Sequence, residues 1–534
     1  MSRWPARDSG TVQDATIGEL LRRAASLAPS TVALVEGVAD TAERRRWTYA
    51  QLLEESVRVG RALLGRFVPG ERVAVWSNNI PEWILVQLGA AHAGITLVPI
   101  DPALQARELR HVLDHSGAAG VFLRAEYRRN AMASILEAVR PGLPKLREVV
   151  YFEDWPPFVA SGSAHRELPD VSADSEAQIL YTSGTTGVPK GVVLTHRGLV
   201  NNARFGVGRL PLRQGDVFVN SMPLFHTVGS GVLTLGLIAS LATQVLMPFF
   251  EPGLQLMLLE EERSVVVGGV STMLLAMLEH ERFPATDTST LRFALSGGAA
   301  VPPELARRVE RELGVPLAIV YGQTEASPTI TMVDPFRDSA NDRTQTVGRP
   351  LPATDLRIVD PLDRTTVLPV GEIGEICTRG YHVMSGYLDA PEQTSEAIDA
   401  DGWLHTGDLG SMDARGYLRI EGRLKEMIIR GGENVFPSEI ENVLLTHPDV
   451  RDVAVVGVPD QRWGEQVAAF VLAVDGHRLN EDELIRYCQE RLARHKVPRI
   501  WRTVGEFPKT GSGKIRKTVL RESFASMPTA TAEA

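Results

Sequence analysis

The sequence reads Tyr181-Thr182-Ser183-Gly184-Thr185-Thr186-Gly187-Val188-Pro189-Lys190-Gly191 directly after a short apolar, strand-like segment at residues 177–180. This run contains three glycines, four serine or threonine hydroxyls and one lysine. Glycines let a backbone turn its N–H groups toward an anion at little steric cost. Hydroxyls add further donors, and Lys190 adds a cation. The composition therefore predicts a loop that binds polyphosphate.

The run differs from the phosphate loop of P-loop NTPases, which requires G-x-x-x-x-G-K-[ST] at the start of a helix. Here Pro189 precedes the lysine and Gly191 follows it, so no hydroxyl is placed for Mg²⁺. A loop rich in Gly, Ser and Thr is often only a surface connection. The complete run, however, resembles the signature loop of the adenylate-forming superfamily: acyl-CoA synthetases, adenylation domains of peptide synthetases, and beetle luciferases.

Length and composition limit the classes of protein that fit. A chain of 534 residues has room for several domains, and 44% apolar with 23% charged residues is an ordinary globular composition. The net charge of −10 and the lack of a basic run argue against a nucleic-acid partner. Two cysteines cannot form a disulfide framework, which favours a reducing compartment. We expect a cytoplasmic enzyme without a signal peptide.

Residues 217–250 carry no Asp, Glu, Lys or Arg and are long enough to span a bilayer. Polar residues interrupt this stretch and Pro248 ends it. A buried helix over 229–242 followed by a strand over 243–248 explains it better than a membrane span. We expect no integral membrane segment. Peripheral membrane association stays open, because a lipid-like substrate would favour it.

The remaining patterns predict an α/β fold. Short apolar strands alternate with helical segments in the N-terminal third, as in a doubly wound parallel sheet. Thr48 and Gln51 predict a capping box at the start of one of these helices. Residues 153–175 are predicted to form a polar, proline-bearing link. Short strands with frequent Gly and Asp turns over 351–422 suit a small antiparallel or barrel-like subdomain. Two strands over 450–458 and 466–474 and a helix from Asn480, its predicted cap, to Ala493 then follow.

We predict an N-terminal AMP-binding domain at 1–422, a hinge at 423–427, and a small α+β domain at 428–534, which the resemblance implies is a mobile lid.

Two further segments, residues 296–300 and residues 321–325, match motifs of the superfamily and follow each other in the same order as they do there. The resemblance implies that they surround the adenine and the head of the substrate, and that Glu325 binds the Mg²⁺ that bridges ATP phosphates. One carboxylate beside phosphate oxygens suits magnesium. Taken alone, Glu325 would be read as a solvated acid. The expected residues here are Gly298, Ala299, Tyr321, Gly322, Thr324 and Glu325.

Trp403-Leu404-His405-Thr406-Gly407-Asp408-Leu409 is similar to the ribose-binding element of the superfamily. The resemblance implies that Asp408 accepts from the ribose hydroxyls, and an ionised carboxylate accepts such donors well. It also implies that Arg423 reaches the ribose or a phosphate and that Lys425 is the hinge residue. The alternative for Arg423 and Lys425 is a pair of surface charges in a loop.

Near the C-terminus, Pro508-Lys509-Thr510-Gly511-Ser512-Gly513-Lys514 is similar to the catalytic loop of the superfamily. The resemblance implies that Lys514 is the critical catalytic residue. A carboxylate that attacks the α-phosphorus of ATP brings two anions together, and negative charge spreads over the phosphoryl oxygens. A cation between them lowers that barrier, as oxyanion donors do elsewhere.

His226 lies in Pro223-Leu224-Phe225-His226-Thr227-Val228-Gly229, which resembles the gate motif of the superfamily. We expect a positioning role for it where acyl pocket and adenylate meet, although a histidine beside an apolar run is more often a core residue. Gly431, Gly432 and Glu433 belong to a loop similar to the one that fatty acyl-CoA synthetases use for thioester formation. The resemblance implies that this loop lines a pantetheine tunnel. Residues 379–387, which end at Tyr387, and residues 431–437 look most like the medium-chain acyl-CoA synthetases.

Amino-acid adenylation domains carry an aspartate just after the gate motif to hold the α-amine, and residues 227–250 contain none. An unpaired ammonium ion in an apolar pocket is costly. The predicted substrate is therefore a hydrophobic carboxylic acid, either a medium- or long-chain fatty acid or a bulky cyclic acid.

The sequence as a whole predicts an ATP-dependent carboxylate–CoA ligase of fatty acid metabolism. It uses ATP, Mg²⁺ and coenzyme A and forms acyl-AMP and then acyl-CoA. The predicted phosphate ligands are Thr182, Ser183, Gly184, Thr185, Thr186, Gly187 and Lys190. Two alternatives stay open: an acyl-adenylate ligase that loads a carrier protein, and a catalytically idle ATP-binding module. The particular acid and the oligomeric state are not predicted.

Overall fold

The computed structural model describes residues 1–6, 10–163, 165–182, 189–299, 301–431, 433–460, 462–508 and 515–525. Strands and helices alternate along most of this part of the chain. Its strands, in chain order, are β1 (Arg3–Trp4), β2 (Val32–Glu36), β3 (Arg46–Thr48), β4 (Arg72–Trp76), β5 (Thr96–Ile100), β6 (Gly120–Leu123), β7 (Glu148–Tyr151), β8 (Glu176–Thr182), β9 (Lys190–Thr195), β10 (Val217–Asn220), β11 (Thr243–Leu246), β12 (Val266–Gly268), β13 (Phe293–Gly297), β14 (Leu317–Gly322), β15 (Thr329–Met332), β16 (Arg349–Pro350), β17 (Thr354–Val359), β18 (Gly374–Gly380), β19 (Gly386–Tyr387), β20 (Leu404–Met412), β21 (Leu418–Arg423), β22 (Ile428–Arg430), β23 (Glu433–Val435), β24 (Val450–Asp460), β25 (Gly464–Ala473) and β26 (Ile500–Thr503).

The helices lie between these strands in the same described ranges. In chain order they are α1 (Ile17–Leu27), α2 (Tyr49–Leu63), α3 (Pro81–Ala93), α4 (Ala106–Ser116), α5 (Met132–Val139), α6 (Trp155–Ala160), α7 (His196–Val207), α8 (Gly236–Ala239), α9 (Pro252–Glu261), α10 (Ser271–Leu278), α11 (Pro303–Leu313), α12 (Ala340–Gln345), α13 (Pro391–Ala397), α14 (Pro437–Leu444), α15 (Glu481–Gln489) and α16 (Lys517–Ala525).

The chain divides into two compact units. The larger unit comprises Arg3–Leu356 and Cys377–His405, and the smaller unit comprises Met1–Ser2, Arg357–Ile376 and Thr406–Ala534. The hinge predicted at 423–427 stays a prediction.

The larger unit contains a seven-stranded sheet with the order β19-β9-β8-β5-β4-β6-β7. Strand β4 pairs in parallel with both β5 and β6, which confirms the strand–helix alternation predicted for this region. Helix α2 begins with the predicted capping box, since Thr48 and Gln51 each accept a hydrogen bond from the other's backbone N–H. Local capping and apolar periodicity together therefore place these elements.

A nine-stranded sheet in the same unit has the order β16-β15-β14-β13-β12-β10-β11-β2-β3. Strands β10, β12, β13 and β14 pair in parallel. Their side chains are apolar nearly throughout, because helices cover both faces of a parallel sheet. Val219, Val267 and Leu317 are fully buried in the core between this sheet and its helices.

The uncharged stretch folds as a π-helix over Val228–Leu235, then α8, then β11. A buried helix followed by a strand is thus confirmed, but its first part is π rather than α, and the helix ends at Ala239. The Thr234 hydroxyl donates to the Gly229 carbonyl, five residues earlier, at 2.8 Å. Across the described ranges, no helix combines the length and the apolar character that crossing a membrane requires.

Residues 153–175, which the sequence suggested as a polar link, include the helix α6. Its prolines, Pro156 and Pro157, occupy the first turn, where a missing N–H costs nothing.

The smaller unit contains the antiparallel pair β20–β21, part of a five-stranded sheet with the order β1-β17-β18-β20-β21. Its C-terminal sheet has the order β23-β22-β25-β24, with β26 on β25. The strands predicted at 450–458 and 466–474 are confirmed as β24 and β25. Helix α15 starts after the predicted cap Asn480 but ends at Gln489, four residues before the predicted end at Ala493.

Candidate active site

Several predicted site residues lie at one edge of the nine-stranded sheet. His226 follows β10, Gly298 and Ala299 follow β13, and Thr324 and Glu325 follow β14, so all of them leave the carboxyl ends of parallel strands. In the parallel pairing of β13 with β14, Gly297 lies opposite Val320. In open α/β sheets, ligands bind at this edge. The structure thus brings together residues that are up to a hundred positions apart in the sequence.

The turn after β14 tolerates only glycine at position 322. A Cβ there would lie 1.8 Å from the Pro328 carbonyl oxygen, so any larger residue would clash with the backbone. Tyr321 is nearly buried, whereas Thr324 and Glu325, in the short 3₁₀ turn Thr324–Ala326, are partly exposed. Gly298 has φ of +75°, a left-handed conformation that glycine adopts without strain.

The predicted phosphate loop is carried by the antiparallel strands β8 and β9. Thr182 lies opposite Lys190 in this pair, and Tyr181 lies opposite Gly191. The two ends of the loop are therefore fixed by a strand ladder, and Thr182 and Lys190 meet at its base. Ser183, Gly184, Thr185, Thr186 and Gly187 lie outside the described residues.

Lys190 and Glu325 share one neighbour, Tyr387. The Lys190 ammonium lies 4.8 Å from the centre of the Tyr387 ring, a cation–π arrangement. The Tyr387 hydroxyl donates to Glu325 Oε1 at 3.0 Å. Burial, followed by the charge of Glu325, raises the pKa of Tyr387, so its proton stays available for this bond. Tyr387 thereby links the predicted phosphate cation to the predicted metal ligand.

The surroundings of Glu325 suit a magnesium ligand. Its carboxylate is partly exposed, and the Tyr387 hydroxyl fixes its orientation. A carboxylate has about four lone-pair sites, so one hydrogen bond leaves capacity for a cation. The turn itself is fixed, since Met384 N–H donates to the Glu325 carbonyl at 2.9 Å.

His226 lies just before the π-helix. Its ring packs against Phe225, with centroids 4.7 Å apart. Its carbonyl accepts from both the backbone N–H and the hydroxyl of Ser230 at 3.1 Å. The histidine is partly exposed and lies two residues before the helix Val228–Leu235. Val232 and Leu233 of that helix line an apolar cavity.

The smaller unit holds the predicted ribose residues. Asp408 and Arg423 lie opposite each other in β20 and β21, and Arg423 Nε lies 3.1 Å from Asp408 Oδ1. Asp408 is 5% exposed, whereas Arg423 is exposed. The Thr406 hydroxyl accepts from Asp408 N–H at 3.1 Å and donates to the Ile376 carbonyl, which holds the carboxylate in place.

The predicted hinge and acceptor residues also belong to this unit. Lys425 is exposed within the 3₁₀ turn Leu424–Glu426. Gly431 directly follows β22 and its N–H donates to the Trp463 carbonyl at 2.8 Å, while Glu433 begins β23. Gly432 and Lys514 lie outside the described residues.

Tyr387 was missed as a site residue. It had been noted only as part of a motif typical of medium-chain acyl-CoA synthetases. A Gly-Tyr pair gives no local signal of a hydrogen bond to a carboxylate 62 positions away.

Comparisons with known proteins show the family of this chain. Residues 21–388 match the AMP-binding enzyme family, and residues 439–514 match the AMP-binding enzyme C-terminal domain. A 3-[(3aS,4S,7aS)-7a-methyl-1,5-dioxo-octahydro-1H-inden-4-yl]propanoyl:CoA ligase of Mycobacterium tuberculosis (strain ATCC 25618 / H37Rv) is 38% identical, covering 95% of this chain and 98% of that protein. The mitochondrial medium-chain acyl-CoA ligase ACSF2 of Homo sapiens is 34% identical, covering 95% and 87%.

Among solved structures, ATP-bound MatB from Rhodopseudomonas palustris superimposes with a TM-score of 0.86 at 29% identity, covering 96% of this chain and 99% of that chain. The fold, the site and these matches define an AMP-forming acid–CoA ligase. The chain belongs to the AMP-binding enzyme family.

Proposed function

We propose that this enzyme activates a hydrophobic carboxylic acid that lacks an α-amine, through acyl-AMP, to acyl-CoA. Its co-substrates are ATP and CoA. The observation that carries this proposal is the arrangement of Lys190, Tyr387 and Glu325 beside the base of a phosphate-type loop.

In the first half-reaction, a carboxylate oxygen of the acid attacks the α-phosphorus of ATP, and the bond to the β-phosphate oxygen breaks. Lys190, Thr182 and the loop hydroxyls Ser183, Thr185 and Thr186 bind the phosphates. Glu325 holds the magnesium, which neutralises phosphate charge when bound. Asp408 and Arg423 bind the ribose. Lys514 offsets the repulsion between carboxylate and α-phosphate.

In the second half-reaction, the CoA thiol gives up its proton and its sulfur attacks the acyl carbonyl carbon. AMP leaves with the oxygen that formerly belonged to the acid. We propose that the loop around Gly431, Gly432 and Glu433 serves this step, and that the segment after Lys425 moves between the two steps.

The substrate class rests on the apolar wall beside the π-helix. A small, partly enclosed cavity of about 20 Å³ lies within the larger unit, and its lining is almost entirely apolar. This volume is close to that of one water molecule, so the apolar lining, which penalises an ammonium group, supports the substrate class and the volume does not. Among the residues that line it are Leu210, Phe218, Val232, Leu233, Leu237 and Val320. The names of the two relatives support a medium-chain or a bulky cyclic acid.

A panel of carboxylic acids, scored by pyrophosphate release with and without CoA, tests the proposal. We expect fatty acids of medium or longer chain or fused-ring propanoates to be active, and α-amino acids to be inactive. Pyrophosphate release that continues with a holo-carrier protein but not with CoA would indicate the carrier-loading alternative. No acid-dependent exchange of pyrophosphate into ATP would indicate an idle ATP-binding module.

The cytoplasmic location remains a prediction from the cysteine content.

A further inference from the structure

Two histidines on helix α4 contact both ends of the phosphate loop. His111 Nε2 lies 3.1 Å from the Pro189 carbonyl oxygen, and His115 Nδ1 lies 2.8 Å from the Tyr181 hydroxyl. Residues four apart on a helix share one face, one turn above the other. The two histidines therefore present one nitrogen to each strand end.

Tyr181 and Pro189 stand near the two strand ends that lead into this loop, with Thr182 following Tyr181 as the last described residue before it. Tyr181 precedes the last residue of β8, and Pro189 immediately precedes Lys190, the first residue of β9. Because Thr182 pairs with Lys190, any change in the separation of these two strand ends moves both predicted phosphate ligands. The histidine contacts add to the β8–β9 ladder at the point where the two strands lead into the loop.

The histidine pair is itself held firmly. The His111 and His115 rings stack with centroids 5.4 Å apart, and both meet the Tyr181 ring edge-on. The opposite face of α4 is anchored in the core of the seven-stranded sheet, where Leu109, Val112 and Leu113 are buried. Helix α4 therefore acts as a fixed support for the loop.

The bond between His115 and Tyr181 joins uncharged groups near neutral pH. Burial, followed by the neighbouring His111, lowers the pKa of His115. Burial raises the pKa of Tyr181. A neutral imidazole nitrogen and a protonated phenol form a hydrogen bond with either one as donor, according to the imidazole tautomer. At Pro189 the carbonyl can only accept, so His111 Nε2 carries the proton.

We propose that His111 and His115 are positioning residues for ATP, which hold the two strand ends of the phosphate loop at the spacing that triphosphate binding requires. This inference rests on the proposed function, because it assigns the loop to ATP. The residues act through Tyr181 and Pro189 rather than by contact with the nucleotide.

The test compares His111→Leu, His111→Gln and Tyr181→Phe in acid-dependent pyrophosphate–ATP exchange by the full-length enzyme. One hydrogen bond removed corresponds to about a 3- to 10-fold effect. We expect His111→Leu and Tyr181→Phe each to raise the KM for ATP by about that factor, with the KM for the acid unchanged within about twofold. His111→Gln keeps an N–H donor and should restore the wild-type KM for ATP.

Val112→Ala is the matched control, since it removes core volume from the same helix without touching the loop. It should lower the thermal unfolding midpoint but leave the KM for ATP unchanged. An unchanged KM for ATP in both His111→Leu and Tyr181→Phe, or an equal rise in Val112→Ala, would overturn the inference. A wild-type enzyme without any acid-dependent exchange would instead overturn the proposed function.

Discussion

Tyr387 donates its hydroxyl to Glu325 Oε1 at 3.0 Å, although the two residues are 62 positions apart. The same ring lies 4.8 Å from the Lys190 ammonium. Strand β19, which ends at Tyr387, pairs with β9, which begins at Lys190, so backbone pairing brings Tyr387 close to Lys190. Glu325 is held beside them because the Met384 N–H donates to its carbonyl. A predicted phosphate cation and a predicted metal ligand are thus tied to one aromatic residue.

Removing the Tyr387 hydroxyl tests this link. Tyr387→Phe keeps the ring under Lys190 but leaves the Glu325 carboxylate without its fixed donor. We expect the Mg²⁺ concentration for half-maximal pyrophosphate release to rise about 3- to 10-fold, the usual effect of one hydrogen bond. Tyr151→Phe, on the far strand of the same sheet, is the control and should not shift it. A shift of equal size in the control would show that hydroxyl loss acts through general destabilisation.

Asp408 is expected to distinguish ribose from deoxyribose. A hydrogen bond to a charged group is worth about 1.5–3 kcal/mol, so Asp408→Asn should lower kcat/KM for ATP by about 10- to 100-fold. Asp408→Asn should lower kcat/KM for 2′-deoxy-ATP much less, because that nucleotide already lacks one of the two ribose hydroxyls.

Asp413→Asn provides the matched comparison for Asp408. Asp413 also pairs with an arginine, Arg415, in the turn between the same two strands, but it has no predicted ligand role. It should leave both nucleotides unaffected. Equal losses with ATP and 2′-deoxy-ATP in Asp408→Asn would contradict the ribose assignment.

Three buried histidines should make the stability of the folded protein sensitive to acid. Burial lowers the pKa of His92 and of His196 to about 4, and that of His382 to about 3. Histidine in an unfolded chain has a pKa of about 6.5. Between these values the unfolded state binds more protons than the folded state, so the free energy of unfolding falls as the pH decreases below about 6.5.

His382→Gln isolates one of these contributions. His382 is fully buried, and its Nε2 lies 2.9 Å from the Thr378 hydroxyl. The stability advantage of the wild type over the variant should shrink by about 1.4 kcal/mol per pH unit between pH 6.5 and about 3. Urea unfolding of the wild type and the variant at several pH values measures this difference in the free energy of unfolding. A constant difference between wild type and variant across this range would refute the prediction.

The sequence was sufficient for features that depend on local pattern. The capping box at Thr48, the parallel strands β4 and β5, and the pair β24 and β25 all follow from apolar periodicity and turn residues. The π-helix at Val228–Leu235 was missed because an apolar run does not reveal which carbonyl each N–H will reach. The helix α6 was missed because its two prolines suggested a link.

The candidate site was predictable only in part, for a related reason. Motifs marked Lys190 and Glu325 individually, since glycines, hydroxyls and charges at fixed spacing indicate chemistry. Contacts made by long-range folding, such as Tyr387 with Glu325 or His111 with Pro189, have no local signature. Their side chains are ordinary for a strand end and a helix face. Only the folded chain brings them into place, through the Met384 bond to the Glu325 carbonyl beside β19 and the contact of α4 with Pro189 before β9.

Substitution of Lys514 is expected to separate the two half-reactions. If its ammonium serves only the approach of carboxylate to α-phosphate, Lys514→Ala should reduce acyl-AMP formation by about 10²–10³-fold. Thioester formation from supplied acyl-AMP and CoA should remain near the wild-type rate. Rapid-quench measurement of each step checks this, and equal losses in both steps would contradict the assigned role.

Tracing the carboxyl oxygens of the acid into AMP and the thioester tests the acyl-adenylate route most directly. The enzyme is supplied with an active acid labelled with ¹⁸O in both carboxyl oxygens, together with ATP and CoA, and the products are analysed by mass spectrometry. Attack of the carboxylate on the α-phosphorus predicts one ¹⁸O atom in AMP and one in the thioester carbonyl. Unlabelled AMP, with the ¹⁸O instead in pyrophosphate or inorganic phosphate, would contradict the account.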